Sequence, residues 1–183
     1  MNARTVAFSR TRLTELMVPS FANFGGKVHG GVILSLMDKV AYACASKHAG
    51  AYCVTVTVDG VEFLQPVEVG DLLHLDATVR YVGNTSLVVG IKVTTESIKS
   101  NEVKHTNNSF FTMVAKNDTG EPVTVPELEL STQQEIRHFV TAIRRSKMRK
   151  ESQARLQQDY DAFIPDDDVA LLATHRCLID LNQ

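Results

Sequence analysis

A chain of 183 residues has room for one well-filled domain with an extension, and too little for two ordinary ones. With 44% hydrophobic and 22% charged residues, its composition is neither disordered nor fibrous. A formal net charge of -2 gives no reason to expect nucleic acid or an anionic membrane as partner, and the three cysteines, with no metal-like spacing, read as reduced thiols rather than a disulfide frame or a zinc site.

The opening segment, MNARTVAFSRTRLTELMV, lacks the continuous apolar core of a secretory signal, and no later apolar run reaches the roughly 18 residues that a membrane span needs. A cytoplasmic protein is therefore expected. Arg10 to Val18 is a modest strand candidate, ended by Pro19 and Ser20. Gly25, Gly26, Gly30 and Gly31 then mark a loop. After it, VILSLMDKVAYACASKHAG holds Val32, Leu36, Val40 and Ala43 near helical spacing until Gly50, which predicts a helix of about five turns. Ile33, Leu34, Met37, Ala41, Cys44 and Ala45 widen its apolar surface, leaving Ser35, Asp38, Lys39, Tyr42 and Ser46 as a narrow polar stripe, so this helix is expected to be buried on most sides.

Strand-like sequence follows. YCVTVTV and VEFLQPV come first, and Pro66 and Gly70 punctuate. LLHLDATVRYV alternates Leu73, Leu75, Ala77, Val79 and Tyr81 against His74, Asp76, Thr78 and Arg80. Gly83 and Asn84 supply a hairpin turn, and Leu87, Val89, Ile91 and Val93 repeat the alternation. HTNNSFFTMVAK adds a last strand before the turn NDTGEP. One long helix followed by strands, with no βαβ repeat, predicts an α+β arrangement in which an antiparallel sheet curls around a central helix. Beyond Pro126 the composition changes. Thr132 and Glu135 form a capping box ahead of Ile136, Phe139, Val140 and Ile143, so a second amphipathic helix starts there and turns basic at RRSKMRK. The expected division is a domain over residues 1–130 and a basic helix with a tail over 131–183; the acidic-to-apolar tail carries no functional reading.

Several constellations carry chemistry. Gly26 and Gly31 have the spacing of a phosphate-loop's glycines, but Val32 and Ile33 stand where its lysine and hydroxyl belong. What survives is a glycine-lined helix start whose free N–H groups and dipole suit an oxyanion; the competing reading is that Gly30 and Gly31 only permit close packing. Asp38 lies at the edge of the polar stripe. It either faces water or is partly desolvated by Leu34, Met37 and Ala41, which would raise its basicity. Asn23 is by default a turn residue and His29 a packing or capping one. There is no GxSxG, and no cysteine has a convincing catalytic partner. Arg144, Arg145, Lys147, Arg149 and Lys150 are either a solvated helix face or a patch for the phosphates of a ligand.

Taken together, NFGGKVHGGVILSLMD, VTVDGVEFLQPVEVGDLL and VGNTSLVVGIKV resemble the hot dog fold acyl-CoA thioesterases of the brain acyl-CoA hydrolase group and its bacterial relatives, over roughly residues 10 to 130. The resemblance implies a long helix wrapped by an antiparallel sheet, in dimers that assemble further into trimers of dimers. It implies Asp38 as the catalytic carboxylate, acting on water or as nucleophile, Asn23 as the residue that orients water or substrate, and the Gly31 N–H as the group that polarises the thioester carbonyl. Asn23 and Asp38 would come from opposite subunits. Substrate contacts would include His29 and Gly30 at the helix start, Gly83, Asn84, Thr85 and Ser86 near coenzyme A, and Arg144, Arg145 and Lys147 at its phosphates. No metal and no cofactor is implied, since coenzyme A is part of substrate and product. Two other functions on the same fold stand beside hydrolysis: a non-catalytic acyl-CoA-binding regulatory module, and a hydratase or dehydratase acting on acyl thioesters.

Overall fold

The computed structural model describes residues 2–164 and 168–180. Its elements, in chain order, are β1 (Arg4–Thr5), α1 (Val6–Ser9), β2 (Thr11–Leu16), a 3-10 turn at Pro19–Phe21, α2 (Gly30–Ala49), β3 (Tyr52–Asp59), β4 (Leu72–Val82), β5 (Ser86–Glu96), β6 (Val103–Lys116), β7 (Leu128–Glu129), α3 (Gln133–Asp161) and a 3-10 segment at Val169–Thr174. The chain forms two compact units, residues 1–142 and 143–183.

In the first unit, β2, β4, β5, β6 and β3 lie side by side in that order as an antiparallel sheet, which curls around α2. The helix touches all five strands. The alternation in β4 and β5 is why: Leu73, Leu75, Ala77 and Val79 on one strand, and Leu87, Val89, Ile91 and Val93 on the next, are all at most 2% exposed against the helix. Ile33, Leu36, Met37, Val40, Ala41, Cys44 and Ala45 meet them from α2. Consecutive strands pair from β4 to β6, but β3 skips to the far edge and pairs with β6, so Thr55 stands opposite Met113. Gly90 is a packing requirement, because a Cβ there would lie 2.8 Å from Cγ of Arg80.

Both helix ends are closed by side chains. Gly50, at φ +70°, turns the chain out of α2 and returns its N–H to Ser46 O, and Arg4 Nη1 donates to the terminal carbonyls of Lys47 and His48 at 2.8 and 2.6 Å. At the start of α3, the Glu135 N–H donates to Thr132 Oγ1 while Glu135 Oε2 accepts from the N–H groups of Thr132 and Ser131, the expected box with one donor more. The first turns of α3 seat on the sheet through Ala142, through the Tyr81 and Phe139 rings at 4.9 Å, and through Arg80, which donates to His138 Nδ1.

Two expectations are corrected. Residues 61–67 are not a strand. Gly60, at φ +71°, turns the chain off β3, Pro66 has no N–H to pair, and the segment is held by single bonds, from Leu64 N–H to Thr106 O and from Val28 N–H to Val67 O. Nor is α2 buried on most sides in the single chain. Gly31, Leu34, Ser35, Asp38, Lys39, Tyr42 and Ala43 form an open face, and Leu34 belongs to it because it lies one turn before Asp38.

Candidate functional site

The loop before α2 is organised by Asn23. Its Oδ1 accepts from the N–H groups of Gly25 and Lys27 at 2.9 and 3.2 Å, and its own N–H donates to Lys27 O. The side-chain carbonyl thus builds the turn, and among the described residues the amide Nδ2 has no partner. Lys27 is tied in turn to Glu68 at 2.5 Å, fixing the loop to the segment after residue 67.

His29 is the N-cap of α2, as its capping reading anticipated. Its Nδ1 accepts the Gly31 N–H at 2.9 Å, and its carbonyl takes the Val32 N–H. The N–H that the sequence singled out, that of Gly31, is therefore occupied in the resting chain. The Gly30 N–H has no acceptor among the described residues. It stands at the positive end of a 20-residue helix, and the Phe63 ring packs over Gly30 so closely that a Cβ there would lie 3.3 Å from it.

Asp38 lies two turns further on, exposed on the open face of α2. Thr55 Oγ1, from β3, donates to Asp38 Oδ1 at 2.6 Å and lies 3.2 Å from Met113 Sδ. Met37 and Ala41 sit below in the core, and Leu34 is itself exposed, so the chain's own neighbours leave the carboxylate in water instead of shielding it. An open cleft of about 330 Å³ adjoins it, lined by Asp38, Lys39, Tyr42, Tyr52, Cys53 and Thr55. A second cleft of about 570 Å³, lined among others by Phe21, His29, Gly31 and Ser35, lies on the other side of Lys39. At 1.5 Å of rise per residue, Gly30 and Asp38 are roughly 12 Å apart along one helix. A single thioester carbon cannot meet both in one copy.

The turn carrying Gly83, Asn84, Thr85 and Ser86 is a held hairpin. Gly83 N–H donates to Ser86 O, Asn84 O accepts from Val125 N–H and Thr85 O from Ala115 N–H. Leu87 pairs with Met113 and Met113 with Thr55, so the turn begins about two strand spacings, roughly 10 Å, from the residue that grips Asp38. Arg144, Arg145 and Lys147 belong to the second unit, where Lys147 pairs with Glu151 at 3.8 Å. At 100° per residue, Arg145 and Lys147 point roughly 160° apart around α3, so the three do not share one face.

Chemistry at the two buried cysteines is disfavoured: burial pushes the Cys44 thiol up to about 12 and also raises that of Cys53, leaving neither as thiolate near neutrality. Among the described residues no grouping of His, Cys, Asp and Glu suits a metal ion, and no helix is long and apolar enough to cross a membrane. The residue at this site that sequence reasoning missed is Thr55. It is one of two threonines in a β-branched run, and only the pairing of β3 across from α2 brings it to Asp38.

Comparison with known proteins shows the family to which the chain belongs. The pattern of the Thioesterase superfamily matches residues 25–101. Protein VdlD of Helicobacter pylori is 48% identical over 142 residues, which span 76% of this chain and 81% of that protein. An apo-hexameric acyl-CoA thioesterase superposes with a TM-score of 0.81 at 36% identity, covering 84% of this chain and 99% of that one. The acyl-CoA hydrolase of Staphylococcus aureus, solved with butyryl coenzyme A and coenzyme A, superposes at 0.77 with 29% identity, covering 87% and 97%. That hydrolase has also been solved as Asn→Ala, Asp→Ala and Thr→Ala variants, and the three substituted positions are spaced as Asn23, Asp38 and Thr55 are here, the last pair 17 residues apart.

Proposed function

Because this chain belongs to the thioesterase superfamily, we propose that it hydrolyses fatty acyl-CoA to a free acid and coenzyme A, with Asp38 as general base on water. The observation that carries the reading is the Thr55–Asp38 hydrogen bond. It fixes the carboxylate by one oxygen and leaves Oδ2, which has no partner among the described residues, for a water molecule. Asp38 takes a proton from that water as its oxygen attacks the thioester carbon. The Gly30 N–H meets the oxyanion that develops, joined by the Gly31 N–H once His29 Nδ1 releases it. Collapse expels the coenzyme A thiolate, and the Asp38 proton passes to sulfur. Thiolate is already a good leaving group, so no covalent triad, metal or cofactor is called for.

The roughly 12 Å between Gly30 and Asp38 in one copy supports a site made by two, with Asp38 from one subunit facing Gly30 and Asn23 from the other. Asn23 Nδ2 then orients water or the carbonyl. In this reading the working unit is a homodimer, three of which form the hexamer, and the second copy supplies the shielding that Asp38 lacks alone. The turn at Gly83–Ser86 borders coenzyme A; Arg144, Arg145 and Lys147 are the cationic candidates for its phosphates, although they do not share one face of α3. The reaction is cytoplasmic, with neither nucleic acid nor membrane as partner.

The test is free-thiol release from acyl-CoAs of short, medium and long chain by the native protein and by Asp38→Asn, with assembly checked by light scattering. Hydrolysis by the native protein and a loss of about 10²–10⁴-fold in Asp38→Asn at unchanged assembly supports the reading. Native protein that binds acyl-CoA and releases no thiol would replace it with a binding module.

A further inference from the structure

Gly90 lies within β5, where a glycine weakens a strand and brings no side chain to pack. Arg80 of β4 takes the space. The ladder between the two strands shifts register at Val79/Tyr81, a bulge that re-aims the arginine between them. A Cβ at Gly90 would lie 2.8 Å from Cγ of Arg80 and 2.9 Å from its Nε, so the arginine stem lies directly against the Gly90 backbone. From the end of that stem Nη1 donates to His138 Nδ1. Glycine, bulge and arginine together deliver a guanidinium to α3, beside the Tyr81 and Phe139 rings and the buried Ala142.

This contact holds in one protonation state. Arginine keeps its charge and has only donors, so the ring must offer a lone pair at Nδ1, which imidazolium lacks. A proton on His138 therefore removes the bond and sets two cations against each other. The neighbours sharpen the effect: after burial, Arg80 from β4 and Arg137 on α3 hold His138 below the usual imidazole range, and Glu135 pulls the other way. Arg10 adds positive charge near Arg80, and the Cys44 thiol of α2, up at about 12, brings no negative charge near neutrality. We propose that Arg80 and His138 form a proton-operated clasp, which seats the start of α3 on the sheet when the ring is neutral and releases residues 133–142 when it is charged, while the sheet and α2 stay folded. An unseated ring takes its proton near pH 6.5 and a seated one only at lower pH, so the clasp is closed above about 6.5 and opens progressively below it. The clasp is independent of the hydrolase reading.

The chain contains no tryptophan, so Phe139→Trp places a single reporter against Tyr81. Acrylamide quenching of that tryptophan is compared at pH 7.5 and 5.5 in three backgrounds: otherwise native, His138→Gln, whose neutral amide still accepts from Arg80, and Arg80→Met, which removes the opposing charge. On acidification the quenching constant is expected to rise about threefold in the native background and to stay level in the other two, with far-UV circular dichroism unchanged. His48 is present in all three, so any change it causes is common to them. Should Phe139→Trp fail to fold, amide exchange over residues 133–142, taken relative to the unfolded chain at each pH, makes the same comparison in proteins that keep Phe139. A level response in the native background, or an equal rise in His138→Gln, overturns the clasp.

Discussion

Thr55 and Asp38 come from different elements and meet at 2.6 Å, hydroxyl to carboxylate, across the edge where β3 passes the open face of α2. The bond holds an exposed side chain in one rotamer. Thr55→Val keeps the shape and removes the donor, so kcat is expected to fall about tenfold with little change in melting temperature, and Thr55→Ser to recover most of the rate. Steady-state thiol release on the three proteins checks this. A valine variant with full kcat would mean that Asp38 is oriented by something else.

His29 presents a second trade. Its Nδ1 caps α2 by holding the Gly31 N–H, a role worth about 1 kcal/mol to the helix, so His29→Ala should lower the melting temperature by roughly 2–4 °C. Gly30→Ala perturbs the neighbouring donor differently, since its Cβ presses on the Phe63 ring. Its turnover should fall further than that of His29→Ala. The ordering of the two rates, read beside their melting curves, separates a cap from an oxyanion donor.

The pH dependence of stability follows from His48. This ring is fully buried, with Nε2 on Pro126 O at 3.0 Å and Nδ1 unpartnered among the described residues, and burial first, then Arg4, hold it below the usual imidazole range against the opposing pull of the Pro126 carbonyl. The unfolded ring, at about 6.5, therefore binds a proton more readily than the folded one. The contribution is intact above about 6.5 and declines as pH falls below it. His138, lowered by burial and by Arg80, acts in the same direction. Melting curves between pH 7.5 and 5 should show native protein losing stability, with a shallower loss in His48→Gln.

Much of this architecture is readable from residue order. In β4 and β5 the period-two alternation predicts strand and buried face together, because one side of each strand meets a helix and the other does not. The helix α2 is legible from its spacing, yet its exposed face is not, since Leu34 reads as core in a sequence and lies beside Asp38 in space. VEFLQPV has strand composition and folds as a loop because Gly60 redirects the chain, a backbone event that composition does not encode. Thr55 escapes sequence reasoning because it meets Asp38 only through long-range pairing, which sets β3 beside α2. Asn23, His29, Gly30 and Asp38 entered as candidates through the resemblance of their shared segment, since spacing alone left each of them with a competing structural role.

The segment from Pro126 to Glu129 receives His48 through Pro126 O and pairs β7 alongside β1, with Arg4 N–H donating to Glu127 O. During synthesis α2 leaves the ribosome long before that segment does. The carboxyl end of the helix must wait, with His48 unmatched, while the whole sheet is made. This latch is therefore a late event in folding, closing a loop of about eighty residues, and a chain released before residue 126 would hold that end of its central helix by Gly50 and Arg4 alone.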